Sequence, residues 1–319
     1  MTIIKFNQSV IRWLLEAPTP TIRYLTVRDI LKKPGTDPQL QLHRQAIMKE
    51  GPVPAILASQ TDTGQWAGEN GYYTPKYVST HWSMMLLAEL WVDPGNEQFQ
   101  RGVEYMLEAT HTAIENQVNA SSQPALGCLW GNILRYVAHS GLVDDVRAQT
   151  LIQHALYDVS HKHCQCRING FNACAWGVLR TLWGLAAIPL SQRSSNFDES
   201  IDLAITFLLE DYELIKANYP TADQGGIHSG WFKLNFPLFY QADILFALRV
   251  LGELGQLQHP GVKVSLDWLQ SQQLKNGRWR GRSPYSSRTW KELGDNEETS
   301  RWVTMQAMII LQQANRSQV

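Results

Sequence analysis

The chain has 319 residues, 44% of them hydrophobic and 18% charged, with 28 Lys and Arg against 29 Asp and Glu for a formal net charge of −1. That balance gives no electrostatic basis for a nucleic-acid partner, and no apolar run approaches the ~20 residues of a membrane span. Its four cysteines, all between Cys128 and Cys174, are too sparse for a secreted disulfide scaffold, so the expected location is the reducing cytoplasm.

The opening, MTIIKFNQSVIRWLLEAPTP, has its apolar positions interrupted by Asn, Gln, Arg and Glu, and reads as an amphipathic helix, not a signal segment. PTIRYLTVRDIL follows as a more apolar helix. STHWSMMLLAELW, CLWGNILRYVAHSG, FNACAWGVLRTLWGL, FPLFYQADILFALRVLGELG and TSRWVTMQAMIILQQ are apolar around most of their circumference, as helices surrounded by protein are. Between them lie GNEQFQRGVEYMLEAT, FDESIDLAITFLLEDY and HPGVKVSLDWLQSQQ, which carry a single apolar stripe and read as half-buried. Ser79-Thr80 and Thr299-Ser300 are the expected helix caps, Pro237 suits a first helical turn, and Gly141, Gly252 and Gly255 stand where helices should end. No period-two strand pattern occurs.

Buried helices alternating with half-buried ones predict an inner ring enclosed by an outer ring. The expected fold is all-α, an (α/α)6 toroid over residues 1–319 as one domain, with 1–50 completing the ring. An open solenoid would need polar terminal caps, and WVTMQAMIILQQA is too apolar to serve as one.

Two segments, SQTDTGQW and SQQLKNGRW, fit Q-x-x-x-G-x-W through Gln60, Gly64 and Trp66 and through Gln273, Gly277 and Trp279. The spacing has a mechanism: Gln bonds free carbonyls at a helix end, Gly takes the turn, and Trp folds back over the join. Here the chain resembles the QW-repeat proteins of the terpenoid cyclase and protein prenyltransferase superfamily, most over roughly residues 50–110 and 235–315. YTPKYVSTHW, CLWGN and FPLFYQAD resemble the bacterial single-toroid, squalene-cyclase-like branch. The middle copy, YDVSHKHCQCRIN, lacks the Gln and the Gly-x-Trp. The Asp-x-Asp-Asp acid motif of class II cyclases is absent, as are Asp-rich magnesium motifs. The one Asp-Asp pair, Asp144-Asp145, reads as a helix start, where acids suit the dipole.

The resemblance implies a cyclase-like enzyme acting on an isoprenoid in an aromatic-lined central cavity, by acid-initiated cyclisation. Polar residues near the starts of inner helices are the candidates. Asp243, two turns into FPLFYQADILFALRV beside Tyr240, is the candidate proton donor, with an ion pair to Arg301 as the structural alternative. His81 and Tyr240 would assist it. Lys76 and Arg301 would meet an anionic end. Tyr77, Trp82, Trp130, Asn132, Trp176, Phe236 and Trp302 would line the substrate cavity, where aromatic faces stabilise carbocations and bury a polyisoprene tail.

Cys128 and Cys174 share a Cys-x-Trp-Gly phrase that sets them at one height on neighbouring helices. They read either as a zinc site, as in the two-Cys, one-His lanthionine cyclases, or as small residues for close helix packing beside Gly131 and Gly177. His161, His163, Cys164 and Cys166 form a weaker zinc pattern. The alternative functions are thus a zinc-dependent prenyltransferase- or lanthionine-cyclase-like enzyme, or a toroid that binds a lipid or peptide without chemistry. An isoprenoid or lipid ligand also brings an expectation of peripheral membrane contact.

Overall fold

The computed structural model describes residues 7–67, 71–119, 126–215 and 228–315. Among them the chain forms thirteen α-helices and no strand; only two isolated bridges occur. The helices are α1 (Gln8–Leu15), α2 (Pro20–Leu25), α3 (Pro38–Ala46), α4 (Pro52–Ala58), α5 (Thr80–Glu89), α6 (Glu97–Asn119) and α7 (Gly127–Ser140). They continue with α8 (Val146–His161), α9 (Ala175–Ala186), α10 (Phe197–Thr206), α11 (Ile244–Glu253), α12 (Lys263–Ser271) and α13 (Asn296–Gln313). π-Helical turns, Thr26–Ile30 and Phe207–Asp211, prolong α2 and α10. No helix is long and apolar enough to cross a membrane among the described residues.

The helices that look apolar all round are the buried ones. Every residue of α5 is buried, and each of its large side chains, from Trp82 to Leu87, contributes about 1.5–3 kcal/mol of burial relative to exposure. α5 packs on α7, α7 on α9, α9 on α11, α11 on α13, and α13 on α2. Thr21 Oγ1 of α2 donates to the Leu90 carbonyl just past α5 (2.6 Å). The half-buried helices lie against these: α6 on α5 and α7, α8 on α7 and α9, α12 on α11 and α13. The two ends of the described chain are tied together. Trp13 Nε1 donates to Glu297 (2.9 Å), the Thr19 amide to Glu298 (2.8 Å), and Gln312 to the Ile30 carbonyl (3.2 Å).

α7 and α9 make the tightest contact. A Cβ on Gly131 would run into the Arg180 carbonyl, and one on Gly184 into the Gly131 carbonyl. Gly127 and Gly177 leave room for Cys164, whose side chain a Cβ on either would strike at 2.7 Å. The glycine of Cys-x-Trp-Gly is therefore a packing device in both copies.

The two QW segments adopt one geometry. Gln60 Nε2 donates to the Gly64 carbonyl (3.1 Å) and Gln273 Nε2 to the Gly277 carbonyl (3.0 Å). Gly64 and Gly277 take φ of +84° and +81°. The indoles of Trp66 and Trp279 donate back to Ile56 (2.6 Å) and Leu269 (2.8 Å), while their amides bond Thr80 and Thr304 on buried helices at 3.0 Å. Trp231 repeats the indole part, donating to Leu214 (2.7 Å).

Several expected boundaries are corrected. α11 starts at Ile244, so FPLFYQA is irregular, with Pro237 following a cis peptide bond instead of opening a helix. α13 starts two turns before its charges give way to apolar residues, capped by Asp295, whose carboxylate accepts from the Glu297 and Glu298 amides; Thr299-Ser300 lie inside the helix. Ser79 holds the cap position of α5 without a side-chain cap bond, and its hydroxyl donates to the Tyr72 carbonyl. Gly252 is within α11; Gly141 and Gly255 follow their helices with positive φ. Asp145 caps α8, in keeping with its place in the sequence.

Candidate functional site: an aromatic cavity at the starts of the buried helices

A cavity of about 490 Å³ opens where α7 and α9 begin, within the range of small-molecule sites. Its wall is built from four places far apart in sequence. The loop before α5 supplies Tyr72, Tyr73 and Lys76; the start of α7 supplies Leu126, Cys128 and Leu129. The loop before α9 and its first turn supply Cys166, Arg167, Ile168, Cys174 and Trp176, and Tyr240 comes from the irregular stretch before α11. Among these described lining residues there is no carboxylate. The Lys76 ammonium lies 5.2 Å from the centre of the Tyr73 ring and 5.1 Å from that of Tyr240, so two π faces hold the cation where no described acid pairs with it.

Of the residues singled out from sequence, Lys76, Tyr240, Trp176, Cys128, Cys174 and Cys166 meet in this cavity. Tyr77, Trp82, Trp130, Asn132 and His81 lie behind its wall. Tyr77 stacks on Phe239 (4.5 Å) and Trp82 sends its indole N–H to the Tyr73 carbonyl (2.9 Å); both are core residues that brace the lining loop. His81 is fully buried against Trp82, with Nδ1 3.5 Å from the Tyr136 hydroxyl and Nε2 unpartnered. Burial, helped by the nearby Arg180 charge, lowers its pKa to about 3. It stays neutral at pH 7, with a single ring proton and no charge.

Phe236 and Trp302 stack on each other (4.0 Å) beside a separate void of about 20 Å³, which Asp243 also borders. Asp243 is not two turns into a helix. It is the N-cap of α11: Oδ1 accepts from the Phe246 amide (2.9 Å), and Oδ2 from the Asn235 amide (2.8 Å) and side chain (3.1 Å). Burial raises its pKa to about 7 against the opposing pull of these donors. Both oxygens are engaged away from the aromatic cavity. Arg301 pairs with Glu298 (3.0 Å) and Glu297 (3.1 Å) and reaches neither Asp243 nor the cavity.

The thiols are not arranged as a metal centre. Among the described residues no group of three His, Cys, Asp or Glu side chains is placed to hold a metal ion. Cys174 caps α9, its sulfur accepting from the Gly177 amide (3.5 Å). Burial pushes the Cys128 thiol up to about 11 and that of Cys174 up to about 12, so neither is a ready thiolate ligand or nucleophile at pH 7. His161 stacks on Tyr157 (4.7 Å) and His163 on Phe207 (4.4 Å), while Cys164 fills the space between α7 and α9.

Sequence reasoning passes over a partly buried ionic group on α5, α7 and α11. Arg249 pairs with Glu89 (2.6 Å) and Glu253 (3.1 Å), and Arg135 pairs with Glu253 as well. Arg180, fully buried, donates through Nε (3.0 Å) and Nη2 to the Gln241 carbonyl. The signal for it is the Leu-Arg that follows both Cys-x-Trp-Gly phrases, at Arg135 and Arg180. No family model, curated protein or solved structure matches the chain.

Proposed function

We propose that the chain is an (α/α)6 toroid of the QW-repeat kind that binds an isoprenoid or other long-chain lipid in the aromatic cavity at the mouth of its inner ring. The succession of contacts from α2 through α5, α7, α9, α11 and α13 back to α2 supports the ring, as does the shared geometry of the two QW segments. The observation that carries the ligand reading is the cavity wall itself: tyrosines, tryptophan and aliphatic side chains, with Lys76 held over two rings and no described carboxylate. Acid-initiated cyclisation finds less support, because Asp243, the acid that the sequence offers as proton donor, spends both oxygens on the α11 cap and Asn235. Binding without acid chemistry is the function the geometry favours.

Ligand would arrive from a lipid surface. The turn Arg167–Phe171, which gives Arg167 and Ile168 to the cavity wall, leaves Ile168 81% and Phe171 58% exposed. An apolar tip flanked by a cation suits an interfacial contact.

Leu129→Trp tests the cavity. The added ring fills the space beside Cys128, and binding of a farnesyl-chain fluorescent probe should fall below detection while the circular dichroism and thermal transition stay those of wild type. Equal probe binding by the filled variant, or none by wild type, would remove the proposal.

A further inference from the structure

Three arginines, Arg135, Arg180 and Arg249, stand on neighbouring buried helices, and two of them share two glutamates. Glu253 serves Arg135 and Arg249, and Glu89 serves Arg249. Arg180 is left without an ion pair among the described residues. Its side chain is 0% exposed, two of its nitrogens share one backbone carbonyl, and Nη1 has no hydrogen-bond partner. The remaining nearby acid, Asp243, is engaged by Asn235 and Phe246. The guanidinium stacks on the Phe246 ring (3.9 Å) and feels Glu89 and Asp243 at longer range, yet a cation taken out of water with no direct ion pair and one nitrogen unbonded is expensive for a fold to keep. Replacement by an apolar side chain would be favoured unless the charge is used.

Its position says for what. Arg180 follows the cavity-lining Trp176 by one turn on α9, and it is bonded to Gln241, the neighbour of cavity-lining Tyr240. Its charge is felt at Cys128 on the cavity wall and at His81 behind it. In a water-poor interior such a field is weakly screened. Lys76 and Arg167 add positive charge on the wall itself, and no described lining residue carries a negative one. His81 Nε2 and Asn132 Oδ1, both fully buried, are also unpartnered, so the region beneath the cavity holds spare polar capacity.

We propose that Arg180 is the fixed counter-charge that makes the cavity select an anionic lipid, one ending in a carboxylate or a phosphate, over the neutral alcohol of the same chain. The inference rests on the lipid-binding reading above and adds the charge of the ligand and the residue that sets it. Arg180 acts through its field from behind the wall, so it is a specificity residue and not a catalytic one.

Farnesol, farnesoic acid and farnesyl monophosphate share a chain and differ in head group, and their affinities are to be compared by calorimetry. Wild type should favour the acids by about tenfold or more over the alcohol, and the acid-to-phosphate ratio identifies which head group is natural. In Arg180→Met that preference should collapse while farnesol affinity is kept, and the melting temperature should hold or rise because a desolvated charge is gone. Cys128→Asp, which supplies an internal anion on the cavity wall, should cancel the preference in the same way and does so with Arg180 intact. Arg180→Lys should retain most of it.

Equal wild-type affinity for alcohol and acids would overturn the counter-charge while leaving lipid binding standing. So would an unchanged preference in both Arg180→Met and Cys128→Asp. Should Arg180→Met fail to fold, Cys128→Asp and Arg180→Lys decide. Failure of all three probes to bind wild type would overturn the lipid reading itself, and this inference with it.

Discussion

His81 shows how burial redirects a titratable side chain. Its folded pKa of about 3 lies below the ~6.5 of a free histidine, so the unfolded chain takes up a proton between those values that the native state refuses. Stability from keeping His81 neutral is fully present above pH ~6.5 and is lost as pH falls toward 3. His139 and His154 are shifted in the same direction by burial and deepen the loss. His81→Gln is expected to keep the fold and to shallow the acid limb of stability between pH ~6.5 and ~4.5, read by urea unfolding at fixed pH steps. An unaltered limb would mean that the other histidines carry it. Asp243 has the opposite slope: its folded pKa of about 7 exceeds the free value of 3.8, so its contribution is largest at low pH and declines as pH rises toward 7.

At the level of elements, the QW segment is a clasp between one helix end and the next buried helix. Its glycine is held in two different surroundings, which separates backbone strain from crowding. At Gly277, with φ +81°, an added Cβ would meet nothing nearer than Val10 Cγ2, at 3.1 Å; at Gly64, with φ +84°, it would stand 2.7 Å from the Arg101 carbonyl oxygen. An L residue in the left-handed region costs about 1–2 kcal/mol. Gly277→Ala should lose that amount in denaturant melts, and Gly64→Ala distinctly more, because backbone cannot step aside as a methyl can. Equal losses would mean that only the dihedral matters. This clasp is readable from sequence because each part acts within about twenty-five residues of the others. The start of α11 is not. FPLFYQAD has the composition of a buried helix, yet its side chains fill the core from an irregular backbone, and composition alone does not separate the two. The start of α13 is hidden for the converse reason: Asp295-Asn-Glu-Glu298 is a capping sequence, masked by a search for the first apolar residue.

Across the whole molecule, the helical class and the sorting of buried from half-buried helices are legible, since circumferential hydrophobicity reports burial directly. The cavity is legible in part. Lys76, Tyr240, Trp176 and both Cys-x-Trp-Gly thiols converge because each stands just before or at the start of a buried helix, and starts of neighbouring helices gather at one end. Arg167, Ile168 and Arg180 are not foreseeable in this way: which loop folds over the mouth and which arginine turns inward are set by packing between distant segments. The exposed Ile168 and Phe171 give a molecular-scale expectation. The protein should float with phosphatidylglycerol-containing vesicles at low salt, and Ile168→Ser with Phe171→Ser should release it without changing binding of a soluble farnesyl probe. Vesicle binding that survives the double change would move the contact elsewhere.

The backbone-to-backbone seam at Gly131 and Gly184 has a mechanical corollary. With no side chain at that seam, α7 and α9 should move as one plate, and the wall they share should widen little. Any enlargement of the mouth for a bulkier guest must come from the opposite rim, where the tyrosine loop ahead of α5 and the stretch ahead of α11 are irregular. The chamber is thus built like a vice with one fixed jaw, its size set by the jaw that carries Lys76 and Tyr240.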